Sequence, residues 1–151
     1  MAETATRDLV IERVFDAPRE LVYRAFIDPD QISQWFGPVG WSVPRDTVEI
    51  DARVGGDQKF TMVNDDDPSQ ASPVNAKFVE VIENELLVGA ETWHDPELGE
   101  VEMTGRFEFH DEGDGRTRLV ITQGPYGEET VEMAREGWES SFTKLDTLLA
   151  G

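Results

Sequence analysis

The sequence predicts an α+β fold in which one long C-terminal helix lies on an antiparallel sheet, and three observations predict it. Residues Glu128 to Gly151 carry Val131, Ala134, Trp138, Phe142, Leu145, Leu148 and Leu149 at helical spacing. Glu128, Glu129, Glu132, Arg135, Glu136, Glu139, Lys144 and Asp146 fall mostly on the other face. Between Thr47 and Gln123 the chain instead reads as short alternating segments separated by turn residues, the pattern of antiparallel strands. The order of elements is one strand, two helices, six strands and one helix, so the apolar stripe of the last helix has the sheet as its natural partner.

Each element follows from local chemistry. Leu9, Ile11, Arg13 and Phe15 alternate with Val10, Glu12 and Val14, which predicts a strand over Asp8 to Phe15 with apolar residues on both faces and hence an interior place in the sheet. Asp16-Ala17-Pro18-Arg19-Glu20 offers an N-cap acid, a proline for the first turn and an acid near the positive end of the dipole. The helix that follows is expected to bury Leu21, Val22, Ala25 and Phe26 and to stop at Asp28-Pro29. A second short helix runs from Asp30 to Trp35 and breaks at Phe36-Gly37-Pro38. Thr47 to Asp51 and Gln58 to Val63 form a hairpin through Val54-Gly55-Gly56-Asp57. Asn64 to Pro73 is a polar loop. Asn75 to Ile82 and Leu86 to Trp93 pair across Glu83-Asn84-Glu85. Val101 to His110 places Val101, Met103, Gly105, Phe107 and Phe109 on one face, Asp111 to Gly115 turns the chain, and Arg116 to Gln123 is the last strand before Gly124-Pro125 opens the long helix.

Composition bounds the function. The 151 residues suit one domain, residues 1–151, and the four Trp and eight Phe are too many for a disordered chain. There is no cysteine, which removes disulfides, thiolate metal sites and a cysteine nucleophile. The N-terminus lacks the apolar core of a signal peptide and no stretch reaches the roughly 18 apolar residues of a membrane span, so no membrane span is expected and the cytoplasm is the expected address. A net charge of −19 repels phosphate backbones, and no nucleic-acid partner is expected. Only Lys59, Lys77 and Lys144 are lysines, the other ten bases being arginines. Such an acid-rich, lysine-poor surface suits a cytosol at molar salt, where the Debye length is about 3 Å. It equally suits an ordinary acidic protein of a GC-rich genome.

Three segments carry a family resemblance. They are Ile11-Glu12-Arg13-Val14-Phe15-Asp16-Ala17-Pro18-Arg19-Glu20-Leu21-Val22-Tyr23-Arg24-Ala25-Phe26, then Trp35-Phe36-Gly37-Pro38, and finally Gly137-Trp138-Glu139-Ser140-Ser141-Phe142-Thr143-Lys144-Leu145. In this order, over nearly the whole chain, the sequence resembles the activator-of-90-kDa-heat-shock-protein-ATPase-like family within the START-like (SRPBCC, Bet v 1-like) superfamily. The resemblance implies a helix-grip fold: a curved seven-stranded antiparallel sheet around the C-terminal helix, two short helices between strands 1 and 2 closing one end, and a cavity between helix and sheet. It implies no particular reaction.

Inward residues of the strands and the near face of the last helix would line such a cavity. The candidates are Trp35, Phe36, Phe60, Met62, Phe78, Trp93, Met103, Phe107, Trp138 and Phe142. Each ring taken singly is also what a packed core contains; the cavity is what the resemblance implies for the set. His94, read as part of a hairpin loop, and His110, at a strand end, are the only histidines and are expected on the surface. Asp65-Asp66-Asp67 lacks the spaced oxygens of a calcium loop, and no hydrolase, phosphate-loop or dinucleotide motif is present. No catalytic residue, metal or cofactor is assigned. A glutamate on the cavity wall would have a raised pKa and the makings of a base, but sequence does not say which one points inward. The expected function is a binding protein for a small apolar or amphipathic molecule. The alternatives are a co-chaperone-like module for a heat-shock ATPase, or a cyclase or hydrolase acting on an apolar substrate.

If the surface is a salt adaptation, the protein melts at a markedly higher temperature in molar potassium chloride than in dilute buffer, because screening relieves self-repulsion. A melting temperature that is flat or falls across that range returns the composition to the ordinary acidic reading.

Overall fold

The computed structural model describes residues 6–96 and 98–150. Its elements in chain order are β1 (Thr6–Phe15), α1 (Arg19–Ile27), α2 (Pro29–Trp35), β2 (Trp41–Ser42), a 3-10 turn (Arg45–Thr47), β3 (Glu49–Ile50), β4 (Asp57–Asn64), β5 (Ala71–Ile82), β6 (Leu86–Asp95), β7 (Gly99–Gly113), β8 (Arg116–Gly127) and α3 (Glu128–Ala150). The strands form one antiparallel sheet in the order β1-β8-β7-β6-β5-β4-β2, with β3 also paired to β4. This is the predicted α+β architecture, with the two short helices between the first and second strands.

Several boundaries differ from the sequence expectation, each for a physical reason. β1 is an edge strand and not an interior one: it pairs only with β8, and Val10 and Val14 are 51% and 47% exposed. Their β-branched side chains suit an extended backbone without needing burial. Asp16 does not cap α1. The cap position is Pro18, whose carbonyl accepts from the Leu21 and Val22 amides, and Asp16 lies two residues too early. Asp28 does cap: its side chain accepts from the Asp30 amide at 2.9 Å with Pro29 in the first turn of α2, so Asp28-Pro29 both ends one helix and starts the next.

The strand expected over Thr47 to Asp51 shrinks to Glu49–Ile50. Upstream, the Thr47 amide and hydroxyl both bond back to the Pro44 carbonyl, at 3.0 and 2.7 Å, which curls the backbone into the 3-10 turn. The polar loop after β4 is shorter than expected because β5 starts at Ala71, opposite Val63. His94 is exposed but sits within β6, where it pairs with Glu100, so it is a strand residue and not a loop one; Glu97 of that expected loop lies outside the described residues. β8 runs through Gly124-Pro125 to Gly127. Its ladder with β7 ends at Gly124, so Pro125 breaks no bond on that side. A Cβ at Gly124 would lie 2.2 Å from Asp8 Oδ1 and 3.1 Å from Asp8 Cα, so a larger residue there would make the exposed Asp8 side chain swing away. Gly151, the expected last residue of the long helix, lies outside the described residues.

The core lies between α3 and one face of the sheet. Val131, Phe142 and Leu145 of α3 are buried against Leu9, Ile11 and Phe15 of β1, and Phe142 meets Phe15 edge to face with centroids 5.3 Å apart. The Arg13 guanidinium stands 5.1 Å from the Phe15 ring centre and 5.6 Å from that of Phe142 while pairing with Asp146, so one side chain ties β1 to the end of the helix. At the other end of α3 the fully buried Asp95 carboxylate accepts from the amides of Leu98 at 3.0 Å and Gly127 at 2.9 Å. A negative charge at that point complements the helix dipole. Between these ends, the Val39 amide donates to Ser140 Oγ at 2.9 Å and Lys144 Nζ to the Trp41 carbonyl at 3.0 Å. The helices α1 and α2 close one end through Val22, Phe26, Ile32 and Trp35.

Replacing Phe142 by Ala is expected to destabilise the protein by about 3–5 kcal/mol, the usual cost of removing a fully buried ring. A chemical-denaturation midpoint unchanged by the substitution would contradict the position of α3.

Candidate functional site

The stripe of α3 is not packed solid along its length. Midway, β6 and β7 place two glycines directly opposite each other, Gly89 and Gly105, on the face that α3 covers. Neither glycine puts a side chain of its own beneath the helix, although the Phe107 ring leans over Gly105 and reaches Trp138. The result is an inner cavity of about 80 Å³ walled by Phe36, Phe60, Met103, Phe107 and Trp138, with Gln58, Glu91 and Gln123 as its polar groups. A second void of about 20 Å³ adjoins it, reaching Phe26, Ile32, Phe78 and Leu87. Outside lies a more open groove of about 180 Å³ between Gly37, Pro38 and Met62 on one side and Ala134, Gly137 and Ser141 of α3 on the other. Phe36 and Trp138 line all three spaces. Their rings meet edge to face with centroids 5.5 Å apart, so this pair is the partition between inside and outside.

The ten residues expected at the cavity divide in two groups. Phe36, Phe60, Met103, Phe107 and Trp138 line the inner cavity, Phe78 the adjoining void, and Met62 the outer groove. Trp35, Trp93 and Phe142 line none of these three. Trp35 is fully buried with its indole N–H donating to the Ala25 carbonyl at 2.8 Å, Phe142 is fully buried against Phe15, and Trp93 stacks edge to face on Tyr126 at 5.4 Å. Periodicity gives the face of an element and not the depth at which a ring is used, which is why the core rings and the wall rings look alike in sequence.

The polar groups were not legible as a set. Gln123 Oε1 accepts from Tyr126 Oη at 2.7 Å and from Trp138 Nε1 at 3.0 Å. Two donors on one oxygen fix the amide orientation, and Gln123 Nε2 is thereby aimed past Gly105. Burial pushes the Tyr126 hydroxyl far above its ordinary pKa, reinforced by Glu91 and Asp95, so it remains a donor at every working pH. The bond to Gln123 also holds the Trp138 ring in its place as partition. Glu91 Oε2 accepts from the Asn75 amide at 3.2 Å. Desolvation raises the Glu91 pKa above the ordinary glutamate range and Glu102 adds to it, while the Asn75 amide opposes. One signal for Glu91 exists in the sequence: Leu87, Gly89, Glu91 and Trp93 alternate on one face of β6, where an acid among apolar residues is out of place. Elsewhere, in the acidic run Asp65-Asp66-Asp67, read from sequence as a solvated loop, Ser42 donates to Asp65 and Ser69 donates to Asp67.

A family model described as Activator of Hsp90 ATPase homolog 1-like protein matches residues 16–150. The chain belongs to that family. Among solved structures, it is similar to a protein from Chromobacterium violaceum at 27% identity, covering 95% of this chain and 97% of that one with a TM-score of 0.83. It is likewise similar to the AHSA1 protein from Silicibacter pomeroyi at 29% identity, covering 95% and 98% with a TM-score of 0.79. A protein from Nitrosomonas europaea aligns at 25% identity over 95% and 94% with a TM-score of 0.78. No curated protein sequence matches. No helix among the described residues is long and apolar enough to cross a membrane.

Glu91 gives a pH prediction with a definite sign. A carboxyl whose folded pKa is raised stabilises the fold fully below its unfolded pKa, and that contribution is lost as pH rises through the folded value. Glu91→Gln is therefore expected to raise the melting temperature at pH 7 and to lose that advantage as pH falls below about 4, the range of an unperturbed carboxyl. An advantage that is absent at pH 7, or that grows toward acid pH, would place the Glu91 carboxylate in water.

Proposed function

We propose that this member of the Activator of Hsp90 ATPase homolog 1-like family binds a small apolar or amphipathic molecule between α3 and the sheet. The observation that carries the reading is the inner cavity itself, apolar and aromatic on most of its wall with Gln58, Glu91 and Gln123 as its few polar groups. Size sets how a ligand sits. An apolar cavity of about 150 Å³ holds benzene, so about 80 Å³ takes only the head of a molecule, and the rest passes Phe36 and Trp138 into the outer groove. The open side of that groove is the way in.

A second reading, contact with a heat-shock ATPase, rests on the family's description. Large exposed apolar side chains are the surface such a contact would use, and here Val10, Val14, Leu21, Val39, Val54, Val79, Ile82 and Met133 are distributed over β1, α1, β5, α3 and two loops. The enzyme reading would need Glu91 to work as an unassisted base, since it is the one titratable residue in the inner wall. Binding is favoured over both.

Gly89 supplies the test. A Cβ added there meets its nearest atoms, the Lys77 carbonyl and Gln58 Oε1, at 3.6 and 3.7 Å, which is ordinary contact. Gly89→Val thus grows into the cavity and leaves the strand intact. In a thermal-shift screen of fatty acids, sterols, flavonoids and aromatic polyketides, a ligand at a hundredfold excess over its Kd stabilises the wild type by about 2.7 kcal/mol, and Gly89→Val is expected to abolish that gain while folding normally. A ligand that stabilises the variant as well as the wild type binds elsewhere, and a screen in which nothing stabilises the wild type counts against the pocket.

A further inference from the structure

The inner cavity has a charge sign. Glu91 is its one ionisable wall residue, and no Lys, Arg or His lines it. The charged and titratable groups that act on Glu91 or feel it are Glu102 on β7 and Tyr126 on β8, and no cation among the described residues lines the cavity beside it. The Asn75 amide supplies one hydrogen bond at 3.2 Å. The remaining wall is unusually aromatic for so small a space. Phe36 and Phe60 meet at 4.6 Å between centroids, Phe36 and Trp138 at 5.5 Å, and Phe107 and Trp138 at 5.8 Å. A cation within about 6 Å of such rings is attracted by their negative faces, most strongly where water is excluded. A carboxylate-bearing ligand would instead meet a like charge in a desolvated site.

We propose that the inner cavity is a site for an organic ammonium group, with Glu91 as counter-ion and Phe36, Phe60, Phe107 and Trp138 as its aromatic wall. This rests on the binding function proposed above and narrows it. The ligand is an amphipathic cation: its methylated or primary ammonium head occupies the space of about 80 Å³ and its apolar remainder lies in the outer groove. Free fatty acids and other carboxylates are disfavoured.

Two probes of one shape separate the charge from the apolar contact: benzyltrimethylammonium and neopentylbenzene, in which a carbon replaces the charged nitrogen. Phenylacetate is the anionic arm. Binding is followed by the Trp138 indole resonance in about 0.5 M potassium chloride, which cuts the long-range field of the protein. The wild type is expected to bind the cation at least about tenfold more tightly than its neutral isostere, and phenylacetate least. Glu91→Gln changes the net charge only from −19 to −18. It is expected to reduce the cation-to-neutral ratio about tenfold, which general attraction by an acidic surface would not do. A wild-type ratio of one or less overturns the inference, as does a ratio that Glu91→Gln leaves unchanged. Binding of neopentylbenzene without preference for the cation leaves the apolar pocket standing and removes only the ammonium assignment; if neither probe moves the Trp138 signal, both readings fall.

Discussion

The burial of one helical stripe governs this molecule. The helix α3 packs Val131, Ala134, Trp138, Phe142, Leu145, Leu148 and Leu149 into the core, and β1, β8, α1 and α2 receive it. The strand β1 takes Phe142 and Leu145, α1 and α2 close the end, and buried Asp95 together with Arg13 fixes the two ends of the helix. With both ends held, the middle of α3 cannot settle onto the sheet to fill whatever gap the side chains leave. Gly89 and Gly105 are paired across β6 and β7; the Phe107 ring covers Gly105, and the gap under Trp138 opens on the Gly89 side. In a close-packed interior an unfilled volume costs stability, and it persists here because the helix is anchored on either side of it.

The polar groups of the cavity divide the labour. Gln123 is held by Tyr126 and holds Trp138, so its role is to position a wall. Glu91 is a partly buried carboxylate whose one assigned hydrogen bond comes from the Asn75 amide, and its raised pKa expresses the cost of charging it without a counter-ion. A cation brought by a ligand would relieve that cost. The acidic exterior would also concentrate cations around the protein at low salt, so the sign of the surface and the sign of the cavity agree.

The sequence disclosed the architecture because the architecture rests on long periodic signals. The stripe of α3, the alternation of Val101 to Phe109 and the break at Asp28-Pro29 each repeat or punctuate a pattern. What it concealed depends on single contacts. The edge position of β1 is a matter of which strands pair, and Val10 and Val14 look the same in sequence whether a neighbour covers them or not. The 3-10 turn depends on Thr47 bonding to Pro44. Within the site, the rings were legible as a class, but Trp35 and Phe142 belong to the packed core while Phe36 and Trp138 stand at the partition, a distinction of depth that no period encodes. Gly89 and Gly105 looked like ordinary strand glycines until the register placed them face to face.

The most direct test of a cavity beneath Trp138 is to equilibrate the protein with increasing pressures of xenon, an apolar probe smaller than benzene, and follow the four indole N–H resonances together with the Gly89 and Gly105 amides. Trp35, whose indole N–H is bonded to Ala25 in the packed core, serves as the internal control. The account predicts saturable shifts at Trp138, Gly89 and Gly105 with Trp35 unmoved. Uniform small shifts at all four indoles, or none at Trp138, would mean that α3 and the sheet close solidly on each other.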